Sequence, residues 1–219
     1  EAGISFVHGD IRNPEDLAEA GAMDLIIECS AEPSVLAGFN GSPAYLIHTN
    51  LNGTINCLEA ARKHQAAVLF LSTSRVYPVA TINRLRRREE ATRFVLEDEQ
   101  PMPGASARGI AEDFPLEGPR SLYGATKLCS EYILQEYIDM YGIRGVINRC
   151  GVLTGPWQMG KVDQGVVVLW VARHLFGGSL NYIGYGGLGK QVRDMLHVDD
   201  LLRLVLYQIE HLDTLNGRT

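Results

Sequence analysis

The stretch Tyr123-Gly124-Ala125-Thr126-Lys127 lies between two apolar runs, residues 66–71 and 143–147. Short apolar runs between polar segments are typical of buried strands, and the longer segment that separates them has a helical pattern. The predicted order is therefore strand, helix, strand, with Ser72 and Thr73 directly after the first strand. Open α/β sheets bind their ligands at the carboxyl ends of the strands. We therefore expect a ligand site where the first of these strands ends.

The spacing of Tyr123 and Lys127 predicts a particular chemistry, because residues four apart lie on one face of a helix. A free phenol has a pKa of about 10, which makes it a poor base near neutrality. A neighbouring ammonium stabilises the phenolate and lowers that pKa. The pair can then remove or return a proton on a substrate hydroxyl, while Thr73 shares the substrate oxygen. The same spacing also occurs on ordinary exposed helices, so the flanking strands are what favour catalysis.

Composition limits the classes of protein that this chain can belong to. Its 219 residues suffice for one large α/β domain, or for one domain plus a small lobe. A net charge of -6 argues against a nucleic-acid or anionic-membrane partner. We find no apolar segment long enough to span a membrane and no signal peptide at the start. The 4 cysteines are scattered and the histidines form no HxxxH pair, which predicts reduced thiols in the cytoplasm and no metal site.

Strand and helix patterns alternate over residues 1–153. Strands are predicted at 4–7, 24–29, 67–71 and 143–149, and helices at 14–17, 42–64 and 121–141. Such alternation predicts an α/β fold, a Rossmann-like doubly wound parallel sheet with helices on both faces.

Two regions depart from the alternation. An insert at 78–120 contains the charged run 84–90, which we interpret as a short solvated helix. Beyond residue 154 we predict a helix at 164–176, a short strand at 180–183 and a helix at 200–210. We interpret 1–153 as the nucleotide-binding core with its insert, and 154–219 as a partial substrate-binding lobe with returning core elements.

Motifs spread over the chain resemble the extended short-chain dehydrogenase/reductases, in their nucleotide-sugar epimerase/dehydratase group. The matching motifs, in the family's order, are Gly9-Asp10-Ile11-Arg12, Asn50-Leu51-Asn52-Gly53-Thr54, Ser72-Thr73 with Val76-Tyr77, Tyr123 with Lys127, and Arg193-Asp194-Met195-Leu196-His197-Val198-Asp199-Asp200. Residues 89–94, 163–166 and 189–194 are further similar to the CDP-paratose (CDP-tyvelose) 2-epimerase subfamily.

This resemblance implies a bound NAD that oxidises a sugar hydroxyl to a ketone and reduces it again from the other face. The implied catalytic residues are Thr73, Tyr123 and Lys127. The positions that match the family's cofactor contacts are Asp10, Ile11, Cys29, Ser30, Ala31, Asn50, Ser72, Tyr123, Lys127, Cys150 and Val152. Those that match its substrate contacts are Thr73, Ser74, Gln164 and Arg193. The implied substrate is a nucleotide-sugar, and relatives of this kind often form homodimers.

Other interpretations of single residues stay open. Asp10 can begin the loop before a helix, Asn50 can be a polar helix residue, and Arg193 can pair with Asp194 or Asp199 on the surface. For the whole chain, the resemblance favours epimerisation at C2 of a CDP-hexose. The alternatives are a UDP-sugar 4-epimerase and a non-catalytic relative.

Two positions and one missing motif bear on this choice. Sugar dehydratases of the group carry Asp-Glu after the threonine, where this chain has Ser74 and Arg75. The resemblance therefore argues against elimination of water. The family also begins with a glycine-rich turn at a helix amino terminus, which holds the pyrophosphate. This chain has no such turn and its first strand corresponds to the family's third, so we expect either a fragment or a relative without the cofactor.

Overall fold

The computed structural model describes residues 3–159 and 165–219. Within them the strands are β1 (Leu25–Glu28), β2 (Ala67–Thr73), β3 (Arg87–Glu89), β4 (Phe94–Leu96), β5 (Ala105–Ser106), β6 (Gly109–Ile110), β7 (Gly145–Cys150), β8 (Val152–Thr154) and β9 (Met195–His197). The α-helices are α1 (Pro14–Ala18), α2 (Ala44–Ile47), α3 (Gly53–His64), α4 (Val79–Ile82), α5 (Leu122–Tyr141), α6 (Val166–Phe176), α7 (Val198–Glu210) and α8 (Leu212–Leu215).

The chain forms two compact units. The first contains residues 3–76, 120–149 and 205–219, and the second contains residues 77–119, 150–159 and 165–204. The boundary near the carboxyl end falls inside α7, between Leu204 and Val205.

A three-stranded sheet with the order β1-β2-β7 organises the first unit. Strands β1 and β2 are parallel, and their register pairs Leu25 with Ala67 and Glu28 with Phe70. Every residue of β2 except Leu71 is buried, as expected for a central strand of a covered sheet. The parallel pairing confirms the predicted α/β class.

The core of this unit lies between the sheet and two long helices. Its buried side chains come from α3, β2, α5 and β7 with their flanks, and are Leu58, Ala61, Ala66, Val68, Phe70, Leu134, Ile143 and Ile147. Burial of a large apolar side chain contributes roughly 1.5–3 kcal/mol. This core fixes α5 against the strand that carries Ser72 and Thr73.

The predicted helix over 42–64 is present, but it is not regular. Between α2 and α3 it contains a π-helical segment, His48–Asn52. Single-turn π-helical segments are rare, and those that occur are often found at functional sites. Asn50 lies in this segment and is fully buried.

The second unit contains three small pairings. Strands β3 and β4 form an antiparallel hairpin, β5 and β6 form a second, and β8 pairs with β9 in parallel. Lys190 joins the first hairpin, because its ammonium lies 2.6 Å from the carboxylate of Glu89 and its carbonyl accepts from the amide of Phe94.

Three predicted elements are wrong. Residues 4–7 form no strand, and Ile4 and Phe6 are 91% and 89% exposed, so nothing in the described chain pairs with or covers them. The charged run 84–90 contains β3 and no helix, because cross-strand pairing with β4 and the contact of the Arg87 guanidinium with the Phe94 ring stabilise the extended form. Residues 180–183 are irregular, without a strand partner.

Among the described residues, none of the helices combines the length and the apolar character that crossing a membrane requires.

Candidate functional site

Helix α5 begins with the cap that the sequence predicts. The Ser121 hydroxyl accepts the backbone N–H of Gly124 at 3.1 Å, and the helix ends at Gly142, whose φ is 68°. An N-cap of this kind satisfies one of the amide groups that the first turn leaves without a partner. Tyr123 is half-buried in this first turn, and Lys127 follows one turn later with only 1% of its surface exposed.

The first turn of α5 lies directly against the segment that follows β2. A Cβ placed on Gly124 would come within 2.2 Å of the Arg75 carbonyl oxygen, so only glycine permits this approach. In the same segment the Arg75 amide donates to the Thr73 hydroxyl at 3.2 Å. Thr73 is buried and Ser74 half-buried. The structure therefore brings the strand end with its hydroxyls to the helix turn that carries Tyr123.

Lys127 lies between a carboxylate and an aromatic ring. Its Nζ is 3.7 Å from Oε2 of Glu28 and 3.9 Å from the centre of the Phe70 ring. The Glu28 carboxylate also accepts hydrogen bonds from Ser30 and from Thr54, the latter at 3.3 Å. An ammonium is stabilised both by the opposite charge and by the face of an aromatic ring.

The side-chain amide of Asn50 forms hydrogen bonds with the backbone of Glu32. Its Oδ1 accepts the amide N–H of Glu32 at 2.7 Å and its Nδ2 donates to the Glu32 carbonyl at 3.1 Å. The Asn50 carbonyl in turn accepts from the hydroxyls of Thr54 and Ser130. These bonds join the loop after β1 to α3 and α5.

Ser72 takes part in a buried ionic cluster. Its hydroxyl donates to the carboxylate of Glu131. Arg149 also donates to this carboxylate through Nε and Nη2, and its Nη2 lies 2.8 Å from Oε2 of Glu131. Glu131 is 1% exposed, so its charge is compensated within the protein. The cluster links β2, α5 and β7 behind the strand end.

Asp10 and Ile11 precede α1 and contact different groups. The Asp10 carboxylate binds the Arg12 side chain and backbone amide, and these hydrogen bonds lower the Asp10 pKa from 3.8 to about 2. Asp10 therefore begins a turn, as one of the two interpretations supposed. Ile11 packs on Gly53 at the start of α3.

The residues after β1 line the loop that Asn50 holds. Cys29 is exposed, and Ser30 and Ala31 are half-buried. Desolvation, followed by the charge of Glu28, raises the pKa of the Cys29 thiol. Burial likewise raises the pKa of the Cys57 thiol to about 12, so both thiols stay protonated near neutrality.

The remaining predicted site residues belong to the second unit. Cys150 is buried, and the amide of Val152 donates to the Asp194 carbonyl at 2.8 Å. Arg193 is exposed and donates to the Val192 carbonyl at 3.2 Å and to the Gln191 side chain. Gln164 lies outside the described residues.

The polar groups of α5 and of the end of β2 are of the kinds that bind a dinucleotide. The phenol of Tyr123, the ammonium of Lys127 and the hydroxyl of Thr73 are groups that bind ribose hydroxyls and a reacting oxygen. The Ser72 hydroxyl beside them donates to Glu131. Within residues 3–159 and 165–219, no group of three or more His, Cys, Asp or Glu side chains has the arrangement of a metal site.

Sequence reasoning missed three charged residues of this region. Glu28, Glu131 and Arg149 are all largely buried around the predicted site. The available signal for Glu28 was a carboxylate inside an apolar strand, because such residues are almost never fully buried unless they are paired.

Comparison with known proteins identifies the family. The model of the NAD dependent epimerase/dehydratase family matches residues 1–219. The chain belongs to this family.

Three relatives show how far the similarity extends. CDP-paratose 2-epimerase of Salmonella typhi is 27% identical over 98% of this chain and 62% of its own length. A dTDP-glucose 4,6-dehydratase of Mycobacterium tuberculosis is 28% identical over 91% of this chain and 52% of its own. The Thermus thermophilus UDP-glucose 4-epimerase, solved as a complex with NAD, is 25% identical with a TM-score of 0.73, over 100% of this chain and 63% of that one. The fold is thus the predicted Rossmann-like one, and the chain spans less than two thirds of the length of each relative.

Proposed function

We propose that this chain forms the catalytic part of an NAD-dependent nucleotide-sugar epimerase. The observation that carries the proposal is the contact of Gly124 with the Arg75 carbonyl. It holds the Tyr123 turn of α5 against the segment in which Thr73 ends β2. A Tyr/Lys pair held beside strand-end hydroxyls is suited to moving a proton on and off a sugar oxygen.

The three catalytic residues have different roles in this proposal. Tyr123 removes the proton of the sugar hydroxyl and later returns it to the oxygen. Lys127 stabilises the phenolate and binds the nicotinamide ribose, while Thr73 holds the reacting oxygen. Bound NAD would supply the acceptor, and then the donor, of the hydride at the sugar carbon. The proposed cofactor positions remain Asp10, Ile11, Cys29, Ser30, Ala31, Asn50, Ser72, Cys150 and Val152. The proposed substrate positions remain Ser74, Gln164 and Arg193.

The proposed substrate is a CDP-hexose, epimerised at C2. Similarity to the CDP-paratose 2-epimerase of Salmonella typhi supports it. The dehydratases among the relatives are similarly close in sequence. However, Ser74 and Arg75 stand where the resemblance leads us to expect the carboxylates that eliminate water.

A second candidate is epimerisation at C4 of a UDP-sugar. The likeness to the Thermus thermophilus UDP-glucose 4-epimerase, over the whole of this chain, favours it. The two candidates share the Tyr123, Lys127 and Thr73 chemistry and differ in the nucleotide and the carbon that reacts.

A homodimer in the cytoplasm is part of the same proposal. Tyr132, Met140 and Tyr141 leave an apolar stripe exposed on α5, which supports pairing of this helix with a second copy. The scattered free thiols support a reducing compartment.

The first experiment is to denature the purified protein and identify the released nucleotide by absorbance and mass. Stoichiometric NAD is the expected result, since the hydride must return to the same sugar. CDP- and UDP-hexoses are then supplied separately in deuterated water and the products analysed by NMR. Inversion at C2 of the CDP-sugar supports the first candidate, and inversion at C4 of the UDP-sugar the second. If NAD is neither released nor taken up on addition, the chain is a fragment or a cofactor-free relative, and the proposal fails for this chain.

A further inference from the structure

Glu28 is a buried carboxylate for which the proposed chemistry has so far given no role. It is the last residue of β1 and follows the apolar residues Leu25, Ile26 and Ile27. Only 3% of its surface is exposed. The register of the sheet places it beside Phe70 of β2, on whose ring the Lys127 ammonium lies.

The contacts of Glu28 orient it toward Lys127. Ser30 donates to Oε1, and Thr54, whose single proton is shared with the nearer Asn50 carbonyl at 2.8 Å, lies 3.3 Å from Oε2. Oε2 is the oxygen that lies 3.7 Å from the ammonium. The full donor is therefore Ser30 of the loop after β1, and moving the carboxylate away from Lys127 breaks this bond.

Stability alone does not explain why the Lys127–Glu28 ion pair is buried. A buried ion pair is often no more stable than apolar residues of the same volume. A buried ammonium that lacks an opposite charge tends to lose its proton near neutrality. A neutral Lys127 would no longer stabilise the Tyr123 phenolate, and the base would be lost at working pH.

The other titratable groups around Lys127 do not replace Glu28. On α3 and in the loop after β1, the thiols of Cys57 and Cys29 have a pKa raised by burial and are neutral near pH 7. On α5 itself, Glu131 is engaged by Arg149 of β7 and by Ser72. On the π-helical segment, Asn50 carries no charge. Tyr123 is the group that Lys127 is meant to influence.

We propose that Glu28 is a positioning residue that serves as the buried counter-ion of Lys127, keeping it protonated and held one turn below Tyr123. The inference rests on the proposed function, because it assigns the reason for which Lys127 must stay charged. Its first test nevertheless needs no turnover.

That test follows the charge of Lys127 by NMR with isotope-labelled lysine. Lysines occur at Lys63, Lys127, Lys161 and Lys190, and Lys127→Met identifies the signal of interest. We expect Lys127 to be protonated near neutrality in the wild type, and to lose its proton at a lower pH in Glu28→Gln, which removes the opposite charge. Glu28→Asp keeps the charge, so Lys127 should lose its proton at a higher pH in this variant than in Glu28→Gln. A neutral Lys127 in the wild type at about pH 7.5 overturns the proposal even if Glu28→Gln does not fold. So does an equal midpoint in wild type and Glu28→Gln.

The second test is the pH profile of turnover. In Glu28→Gln the phenol loses its charged neighbour, so we expect the acid limb of kcat to move up by about one pH unit or more. The KM for the nucleotide-sugar should change less than about twofold, because Glu28 is not placed against the sugar. Glu59→Gln, which removes an exposed carboxylate of α3, is the control and should keep the wild-type profile. A profile that moves down, or one that moves equally in Glu59→Gln, contradicts the proposal. Absence of turnover in the wild type defeats the proposed function alone and leaves the NMR result standing.

Discussion

The carbonyl oxygen of Arg75 occupies the space that a side chain on Gly124 would need. A Cβ there would lie 2.2 Å from this oxygen and 3.3 Å from the Arg120 side chain. The glycine of the Tyr-Gly-Ala-Thr-Lys stretch is therefore required by a contact between the first turn of α5 and the segment after β2. This contact sets the distance between Tyr123 and the hydroxyls that end the strand.

Gly124→Ala is expected to displace the first turn of α5. Alanine is favoured in helices by about 1 kcal/mol, but the clash with backbone should outweigh this gain and give a net loss of about 1–3 kcal/mol. Turnover should fall about 100-fold, because a shift of about 1 Å is costly at a reacting centre. Urea unfolding and steady-state rates measure both effects. Gly142→Ala, beyond the same helix, is the control. It strains a left-handed backbone with a φ of 68° and should cost about 1–2 kcal/mol, but it should leave turnover unchanged.

Tyr123→Phe is expected to remove turnover and to leave nucleotide-sugar binding nearly intact. Loss of a positioned acid/base group typically costs about 100- to 10,000-fold in rate. Calorimetric binding and single-turnover assays on the complete enzyme separate the two quantities. The matched control is Tyr207→Phe, an exposed tyrosine on α7. If binding weakens as much as the rate falls, Tyr123 is structural.

Lys127→Met is expected to reduce both the rate and the NAD content. It also leaves Glu28 buried without the opposite charge, which should lower the free energy of unfolding by about 3–5 kcal/mol. Lys63→Met, at an exposed position of α3, controls for the loss of one lysine. Released nucleotide and the urea midpoint are the measurements. A wild-type NAD content in Lys127→Met would remove its role in binding the ribose.

The Glu131 and Arg149 pair gives a test of the cluster behind the strand end. Arg149→Met should destabilise the protein by about 3–5 kcal/mol, because it leaves the Glu131 charge buried without its guanidinium. The double variant Glu131→Leu/Arg149→Met should recover much of this loss, since both charges are removed together. A double variant less stable than Arg149→Met would mean that the pair itself contributes the stability.

Acid titration should report the contact of Asp10 with Arg12. The hydrogen bonds from Arg12 lower the folded-state pKa of Asp10 from 3.8 to about 2. The stabilisation from this contact is therefore complete above the ordinary pKa and is lost as the pH falls from about 4 toward 2. In Arg12→Met the Asp10 pKa should return toward its ordinary value in an NMR titration. Arg62→Met, on α3, should leave it unchanged.

The local signals in the sequence predicted much of the first unit. Helix α5 begins after Ser121 and ends at Gly142 as predicted, because a capping hydroxyl and a left-handed glycine act within one turn of their own position. The apolar run at 67–71 became a buried central strand for a similarly local reason. The elements that were predicted wrongly depend on distant partners. Arg87 is extended because β3 pairs with β4 in a hairpin, to which Lys190 is hydrogen-bonded. Ile4 is not in a strand because no other described segment pairs with it.

For the candidate site, the spacing of Tyr123 and Lys127 and the order of the family motifs were determined by the sequence alone, since both are properties of the linear chain. The tertiary structure alone decided that Glu28 lies against Lys127, that Glu131 binds Arg149 and Ser72, and that Asn50 holds the loop at Glu32. The two partners in each of these contacts are 18 to 99 positions apart in the chain. A buried charge finds its partner through the packing of strands and helices, and no local pattern specifies which partner that is.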